Sequence, residues 1–439
     1  MSLRNLRDKL KEDLKLSPKF GVITKVTPTI IYASDLAPSL GDLVRVYRED
    51  SEDILGMVIV IEKESFGFTP FSFIEGLRSG DKVLIDKEGL NFPIGDGLIG
   101  RILDPLGNPI DDKGPLKHSG FAPIIAQPIK AMKRGIIDEV FPVGIKAIDG
   151  ILTCGKGQKL GIFAGSGVGK STLMGMIVRG SNAPIKVVAL IGERGREVPE
   201  FIHYNLNDNL ENTILIVATS DDSALMRKYG AFSAMAVAEY FKNQGRDVLF
   251  IMDSVTRFAM AQREIGLALG EPPTSKGYPP SVFALLPQLM ERAGKEENSG
   301  SITAFFTVLV EGDDLSDPIA DQSRSILDGH IVLSRELTDF GIYPPINILN
   351  SASRVSSAII SEEHKKALRK FRNLYSLLKE NEVLIRIGSY QKGNDPELDE
   401  AIDKKAFMED FIRQEETKKI SFEDTLQELY KIQTKDSLS

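Results

Sequence analysis

Residues 160–173, Leu-Gly-Ile-Phe-Ala-Gly-Ser-Gly-Val-Gly-Lys-Ser-Thr-Leu, are typical of a strand, a glycine-rich turn and the start of a helix. Glycine permits positive φ and a close approach of backbone N–H groups to phosphate oxygens, and the positive end of the helix dipole reinforces such a site. The glycines expected to act in this way are Gly165, Gly167 and Gly169. Lys170 is expected to reach the β- and γ-phosphates of a nucleotide, and the Ser171 hydroxyl to bind Mg²⁺.

This stretch departs mildly from the usual G-x-x-x-x-G-K-S/T pattern, because Ala164 occupies its first position. The alternative interpretation is a chance glycine-rich turn, which the strand before it and the helix after it disfavour. The residues predicted to bind the nucleotide through this loop are Gly165, Ser166, Gly167, Val168, Gly169, Lys170, Ser171 and Thr172.

A second chemical group stands at the end of the apolar run 248–252, which is followed by Asp253. Ligands bind at the carboxyl edge of parallel sheets, so Asp253 is predicted to hold Mg²⁺ together with Ser171, directly or through a water. The alternative role for this carboxylate is an acidic helix cap.

Hydrolysis also needs a group that orients and polarises the attacking water. Many nucleotide hydrolases place a glutamate directly after the magnesium aspartate, but the next residue here is Ser254. Glu193, at the end of the apolar run 187–191, is therefore the predicted general base, and Arg194 is predicted to contact the γ-phosphate. A surface salt-bridge cluster is the alternative for these charges and the nearby Arg196 and Glu197.

Charge that develops on the transferred phosphoryl group is commonly met by an arginine from the same or a neighbouring subunit. Arg354 is the candidate, since it follows a rigid Pro-Pro turn and a Ser-x-Ser sequence. A structural arginine at a subunit contact is the alternative. Tyr343, an aromatic residue before that turn, could stack on the adenine or simply pack.

The elements that must position these residues belong to a chain of 439 residues with 42% hydrophobic content, which is enough for two or three domains. The single cysteine, Cys154, excludes an intramolecular disulfide, and no apolar run approaches the roughly 20 residues that span a bilayer. No signal or transit peptide is recognisable, so a cytosolic location is expected. The net charge of -8 argues against a nucleic-acid footprint over the whole surface.

The chain before the nucleotide-binding loop has two patterns. Leucines at helical spacing predict an amphipathic helix over residues 3–16, which packs on the first domain, docks a partner helix or, less favourably, lies on a membrane. From residue 21 to about 85, short β-rich runs separated by turns predict a small closed barrel.

The chain after residue 160 alternates near-continuous apolar runs with amphipathic helices, which is typical of parallel strands buried on both faces. The predicted strands cover 187–191, 214–218, 248–252 and 301–309. After about residue 361 the β pattern stops, and charged amphipathic helices are predicted to the end, including 362–380 and 405–431.

These motifs resemble those of the rotary-type hexameric ATPases, to which the catalytic subunit of ATP synthase belongs. Residues 344–353 fit the signature of that group, and 192–197 fit its catalytic glutamate loop. The resemblance is closer to the type III protein export ATPases, with the flagellar branch the better match, and it extends from about residue 21 to the end. The stretches that carry it are 253–265, 270–284, 328–335 and 387–399.

The resemblance implies an α/β fold: a RecA-like P-loop core with an N-terminal β-barrel domain and a C-terminal helical domain. The corresponding division is an N-terminal amphipathic helix at 1–18, the barrel at 19–92, the ATPase domain at 93–360 and the helical domain at 361–439. It also implies a homohexamer that binds ATP and Mg²⁺ between subunits. Arg354 then acts in trans and Tyr343 stacks on the base.

The activity implied by the resemblance is Mg²⁺-dependent ATP hydrolysis that energises flagellar protein export and releases cargo from chaperones. The implied partners are a stator-like regulator at the N-terminal helix, a coiled-coil stalk and chaperone–cargo complexes at the C-terminal domain, and a membrane export gate. The implied location is peripheral, at the cytoplasmic face of the inner membrane. No nucleic-acid partner is expected.

Four alternatives stand beside this interpretation. The nearest is the ATPase of a virulence injectisome. A rotary ATP synthase subunit is disfavoured because both halves of the site occur in one chain and the acidic helix-turn motif of the synthase is missing. A non-hydrolysing ring subunit is disfavoured by the complete set of Lys170, Glu193 and Arg354. An RNA or DNA translocase is disfavoured by the acidic composition.

Overall fold

The computed structural model describes residues 19–48, 52–86, 89–310 and 316–434. The helix predicted over 3–16 lies outside the described residues. Two compact units account for the described chain, one formed by residues up to Leu90 with Ala268–Gly270, the other by the remainder. These units do not test the four-segment division given above, which stays a prediction.

The first unit is a closed six-stranded barrel, as predicted, with the strand order β1-β2-β5-β4-β3-β6 and antiparallel pairing throughout. Its strands are β1 (Gly21–Val26), β2 (Ile31–Ser34), β3 (Leu43–Val46), β4 (Ile54–Ile61), β5 (Ser65–Pro70) and β6 (Lys82–Asp86). The β-branched and aromatic side chains that alternate along these strands point inward, so that Val44, Phe66 and Phe68 are fully buried. Closure leaves no exposed sheet edge.

The second unit is built on a sheet with the strand order β17-β16-β10-β15-β13-β11-β12-β8, with β14 paired to β15. Its strands are β8 (Ile102–Leu103), β10 (Lys159–Ala164), β11 (Ile185–Glu193), β12 (Thr213–Thr219), β13 (Val248–Asp253), β14 (Gly294–Lys295), β15 (Ser301–Leu309), β16 (Gly329–Leu333) and β17 (Ile346–Ser353). A separate pair consists of β7 (Asn91–Ile94) and β9 (Gly120–Pro123). The four strands predicted from apolar runs are all present, as β11, β12, β13 and β15.

Pairing in this sheet is parallel except at β14 and β17, which run antiparallel to their neighbours. The central strand β10 is buried along its whole length, which explains why it lacks a polar face. Because the strands are parallel, the chain leaves β10, β11 and β13 at one common edge. The predicted phosphate loop, base and metal residues all follow or end these three strands.

Helices pack on this sheet and continue beyond it. They are α1 (Lys170–Gly180), α2 (Glu197–Glu200), α3 (Ala224–Asn243), α4 (Val255–Ala268), α5 (Pro280–Met290), α6 (Pro318–Ile326), α7 (Arg335–Asp339), α8 (Ser356–Ile359), α9 (Glu362–Glu380), α10 (Glu382–Arg386), α11 (Pro396–Asp403), α12 (Lys405–Ile412) and α13 (Phe422–Tyr430). No helix among the described residues is both long enough and apolar enough to cross a membrane.

The helical end of the chain agrees with one prediction and corrects another. The helix predicted over 362–380 is α9, and its N-cap Ser361 accepts a hydrogen bond from the His364 N–H. The single helix predicted over 405–431 is wrong. The chain turns to an extended conformation at Arg413, and a new helix begins after Ser421, whose hydroxyl accepts from the Asp424 N–H.

Candidate active site

The phosphate loop connects the end of β10 to α1. Its turn begins at Ser166 and ends at Gly169, which has a φ of 94° and directly precedes the helix. Gly167 also has positive φ, at 78°, but Gly165 does not, so the prediction of positive φ for Gly165 is wrong. The reason is that the chain reverses only after Gly165. A side chain at Gly167 or Gly169 would strain the backbone.

The loop residues do not all face the same way. The side chain of Val168 is buried in the core, so this residue can contact a ligand only through its backbone. The carbonyl of Ser166 accepts a hydrogen bond from Arg335 Nη2 at 3.0 Å, a contact not foreseen from the sequence. The loop, Ser171 and Thr172 line a cavity of about 440 Å³.

Lys170, which follows the loop after β10, contacts the carboxylates at the ends of β11 and β13. Its Nζ lies 2.5 Å from Asp253 Oδ1 at the end of β13 and 3.2 Å from Glu193 Oε1 at the end of β11. Asp253 is almost fully buried, and its Oδ1 also accepts a hydrogen bond from the Thr307 hydroxyl on β15 at 2.6 Å. The structure therefore brings together three residues that the sequence places 23 to 83 positions apart.

The electrostatics of this cluster follow from its burial. Burial by itself lowers the pKa of Lys170, but the charges of Asp253 and Glu193 outweigh it, and the net shift is upward. Burial, reinforced by the charge of Asp253, raises the pKa of Glu193 to about 7, although Lys170 acts in the opposite direction. The ammonium thus stays charged, and Glu193 titrates near neutral pH.

Glu197 and Arg194 complete the wall of the cavity beside Glu193. Burial acts to raise the pKa of Glu197, but a hydrogen bond to Glu193 and the charge of Arg194 lower it overall. The Arg194 side chain is 70% exposed, and its Nη1 lies 3.3 Å from Glu197 Oε1. Part of the alternative salt-bridge interpretation is therefore correct, while Glu193 belongs to the buried cluster.

Of the cavity-lining residues that the sequence did not predict, one is a cation. Arg257, in the first turn of α4, lines the same cavity as Lys170 and Glu193. Its Nε is buried and has no hydrogen-bond partner within the described part of the chain. A cation four positions after the strand-ending Asp253 was the available signal, because the helix that follows such a strand starts at the ligand edge of the sheet.

Tyr343 lies next to the phosphate loop rather than within the phosphate cavity. With Pro345, Met176 and residues 414–417 it lines a second cavity of about 500 Å³. Gly169 and Thr172 line both cavities, so the two spaces meet at the start of α1. The Tyr343 side chain is 42% exposed, which leaves an aromatic surface free to stack.

Arg354 is the one predicted catalytic residue that the structure keeps away from this cluster. Strand β17 runs antiparallel to β16, so that Ser353 pairs with Gly329 at the start of β16. The phosphate loop follows the opposite end of the six-residue strand β10, about 17 Å away at 3.3 Å per residue. Arg354 Nη2 instead donates to the carbonyl of Arg324 at 3.3 Å.

The arrangement suits transfer of a phosphoryl group to water. A cradle of backbone and a charged lysine can hold phosphates, and a carboxylate with a pKa near 7 can accept a proton at neutral pH. A neighbouring slot with an aromatic surface can hold a base. Within one chain, Arg354 lies at the opposite end of the sheet from the phosphate loop.

Comparisons with known proteins agree with this chemistry. Residues 144–353 match the ATP synthase alpha/beta family, nucleotide-binding domain, and residues 360–431 match the T3SS EscN ATPase C-terminal domain. The "Flagellum-specific ATP synthase" of Helicobacter pylori is 70% identical over 98% of this chain and 100% of its own length. The "Type 3 secretion system ATPase" of Xanthomonas euvesicatoria is 44% identical over 94% of each chain.

A solved structure shows the same fold. It is the assembled ATPase EscN in complex with its central stalk EscO, from the type III secretion system of enteropathogenic E. coli, with a TM-score of 0.88 and 44% identity over 94% of this chain and 99% of that chain. Similarity thus extends over nearly the whole length in sequence and in structure. The chain belongs to the ATP synthase alpha/beta family, in the group of ATP-hydrolysing enzymes formed by flagellum-specific ATP synthases and type 3 secretion system ATPases.

Proposed function

We propose that this enzyme is the Mg²⁺-dependent ATPase that energises protein export through a flagellar type III apparatus, including the release of cargo from chaperones. The observation that carries the proposal is the convergence of Lys170, Asp253 and Glu193 behind the phosphate loop, in a chain 70% identical to a flagellum-specific relative. The second candidate function is that of an injectisome ATPase, which is supported by the 44% identity to a secretion-system relative.

The proposed chemistry assigns one task to each residue. Lys170 binds the β- and γ-phosphates, and Arg194 and Arg257 meet the γ-phosphate from the cavity wall. Glu193 accepts a proton from a water while the oxygen of that water bonds to the γ-phosphorus. The bond between the γ-phosphorus and the bridging oxygen breaks, and that oxygen leaves with ADP. Tyr343 stacks on the adenine. The cavity geometry supports these roles, because all but Tyr343 line one space and that space adjoins the slot of Tyr343.

The residues present fit a magnesium ion. Asp253 offers a buried carboxylate fixed by Thr307, and its neighbour Lys170 lines the phosphate cavity together with Ser171. Among the described residues no group of three or more His, Cys, Asp or Glu could form a complete protein cage. That suits Mg²⁺, which usually combines one or two protein oxygens with phosphates and waters. When bound, the ion neutralises charge on the phosphates.

We propose further that the active enzyme is a homohexamer in which Arg354 completes the site of the next subunit. Arg354 lies at the end of the sheet opposite its own phosphate loop and cannot reach that site. A role in catalysis therefore requires the site of another subunit. The related EscN is an assembled ATPase. A structural role for Arg354 at the subunit contact is the competing account.

Partner binding is proposed for the helical end of the chain. Val383 and Ile387, in and just after α10, are 70% and 64% exposed and form an apolar surface with Leu384. We assign this region to the coiled-coil stalk and chaperone–cargo complexes, and EscN bound to its stalk is the supporting relative. We assign the stator-like regulator to the N-terminal helix on sequence alone. We also propose that the enzyme contacts the export gate and therefore lies at the cytoplasmic face of the inner membrane.

The pH dependence of catalysis tests the assignment of Glu193. The free enzyme needs Glu193 ionised, and burial holds its pKa at about 7, so kcat/KM is expected to rise with pH through about 7 and then level off. A base of ordinary carboxylate pKa would already be ionised at pH 5.5 and give a flat profile. Measuring kcat/KM from pH 5.5 to 8.5 with the assembly state held constant separates the two.

The pathway is tested in the cell. Replacing Lys170 with Ala in the chromosomal gene is expected to abolish flagellar filaments and motility, because the ammonium that binds phosphate is lost while the fold is kept. Restoration by the intact gene, but not by the Lys170→Ala copy, establishes the flagellar role. Normal filaments combined with lost secretion of effector proteins would instead assign the enzyme to an injectisome.

A further inference from the structure

One wall of the slot beside Tyr343 consists of residues that the sequence pattern predicts to be helical. Residues 414–421, here named the base-side loop, connect α12 to α13, and residues 414–417 line the slot. Because this loop comes from the helical end of the chain and Tyr343 comes from the turn before β17, the slot depends on how the two parts are held together.

Gln414 makes that connection through its backbone N–H and its side-chain amide. Its backbone N–H donates to the carbonyl of Tyr343 at 2.7 Å. Its side-chain Oε1 accepts from the Lys146 N–H at 2.9 Å, and Nε2 donates to the carbonyls of Gly144 and Lys418 at 2.8 Å each. The side chain is 5% exposed, so water cannot easily replace these bonds.

The rest of the loop is tied to the far end of the phosphate-loop helix. Arg179, in the last turn of α1, donates through Nη2 to the carbonyl of Glu416 at 2.5 Å. Lys419 Nζ donates to Asn182 Oδ1 at 2.6 Å, just beyond that helix. Helix α1 therefore carries the phosphate cradle at its N-terminus and supports the base-side loop at its C-terminus.

The loop also follows directly from helix α12, which packs closely on the core. A Cβ added to Gly150 would lie 2.8 Å from Cζ of Phe411 in α12, so no side chain fits between them. Lys146, whose N–H contacts Gln414, also donates through Nζ to the carbonyl of Asp410 at 3.0 Å. The position of α12 thus fixes where Gln414 stands.

We propose that Gln414 is a positioning residue for ATP: it sets the wall of the base slot and so the affinity for the nucleoside part, while taking no part in the phosphate chemistry. This inference rests on the proposed stacking of the base on Tyr343. Although Gln414 lines the slot, its side-chain donors and acceptor are all bonded to the protein, so none is free for a hydrogen bond to a base. Its effect on ATP passes through Tyr343 and the loop backbone.

The test compares ATP with inorganic tripolyphosphate, which carries the phosphates without a base. In the Gln414→Ala variant the KM for ATP is expected to rise at least about fivefold, as loss of buried hydrogen bonds implies, with kcat within about twofold of the parent. The inhibition constant of tripolyphosphate is expected to stay unchanged. Gln414→Glu keeps the acceptor for Lys146 but loses both Nε2 donors, so it is expected to resemble the alanine variant.

Arg413→Ala is the matched control, since Arg413 is adjacent but contacts Asp410 on the surface rather than the slot. It is expected to leave all three constants unchanged. Tyr343→Ala tests the underlying assignment and is expected to raise the KM for ATP alone. A raised KM in Tyr343→Ala with a normal KM in Gln414→Ala overturns the role of Gln414 only, whereas a normal KM in Tyr343→Ala overturns the base slot. Weaker inhibition by tripolyphosphate in Gln414→Ala overturns the positioning role in favour of a general structural one.

Discussion

Replacing Glu193 with Gln is expected to leave ATP binding close to that of the parent enzyme while lowering kcat at least about 100-fold, the usual scale for loss of a positioned general base. Glutamine keeps the size and the oxygen that accepts from Lys170, which lies 3.2 Å from Glu193 Oε1. It cannot accept a proton at any pH near neutrality. Binding and chemistry should therefore separate in this variant.

The measurement pairs ATP affinity by calorimetry with phosphate release at saturating ATP. The rise of kcat/KM with pH through about 7 should vanish from whatever activity is left, because the group that titrates there is gone. Glu211→Gln, a change on an exposed turn of the same unit, serves as the control and should behave like the parent. Turnover near the parent level in Glu193→Gln would move the base to another residue, with Glu197 the next to examine.

Replacing Arg354 with Ala is expected to lower kcat by about 10³-fold or more, the effect usually seen when an arginine finger is lost. The sharper expectation concerns mixtures. Arg354→Ala protein keeps an intact cradle and Lys170→Ala protein keeps an intact finger, so an interface with the right order joins the two intact halves. In a random equal mixture about one interface in four has that order, and activity should recover to at most about a quarter of the parent level.

A matched mixture controls for rescue by other means. Lys170→Ala and Glu193→Gln both damage the cradle side, so each of their interfaces contains a broken cradle and no recovery is expected. Co-assembly of both mixtures is checked by mass photometry of differently tagged chains. Co-assembled Arg354→Ala and Lys170→Ala protein without recovered activity would rule out the trans role. Activity that rises more steeply than protein concentration is expected on the same grounds, since sites are completed only by assembly.

Much of the site could be predicted from the sequence because its chemistry is local to strand ends. Asp253 and Glu193 each finish an apolar run, and parallel strands carry such residues to one edge of a sheet. The phosphate loop is a single segment whose turn and helix follow from its own glycines. Helix α9 was equally accessible, since its cap and its periodicity lie within one stretch of chain.

Other features depended on contacts between distant segments. The cavity position of Arg257 and the pairing of Lys170 with two carboxylates arise only when three strands lie side by side. The antiparallel direction of β17, which turns Arg354 away from its own phosphate loop, is not encoded in the strand itself.

Local sequence therefore determined on which elements the candidate residues stand, because apolar periodicity and turn glycines act over a few residues. The tertiary structure decided which of them meet. The clearest case is Gln414: the charged periodicity of residues 405–431 favours an unbroken helix, yet four hydrogen bonds to Tyr343, Lys146, Gly144 and Lys418 hold that residue in a loop. Their partners lie up to 270 positions away, beyond the range of any local pattern.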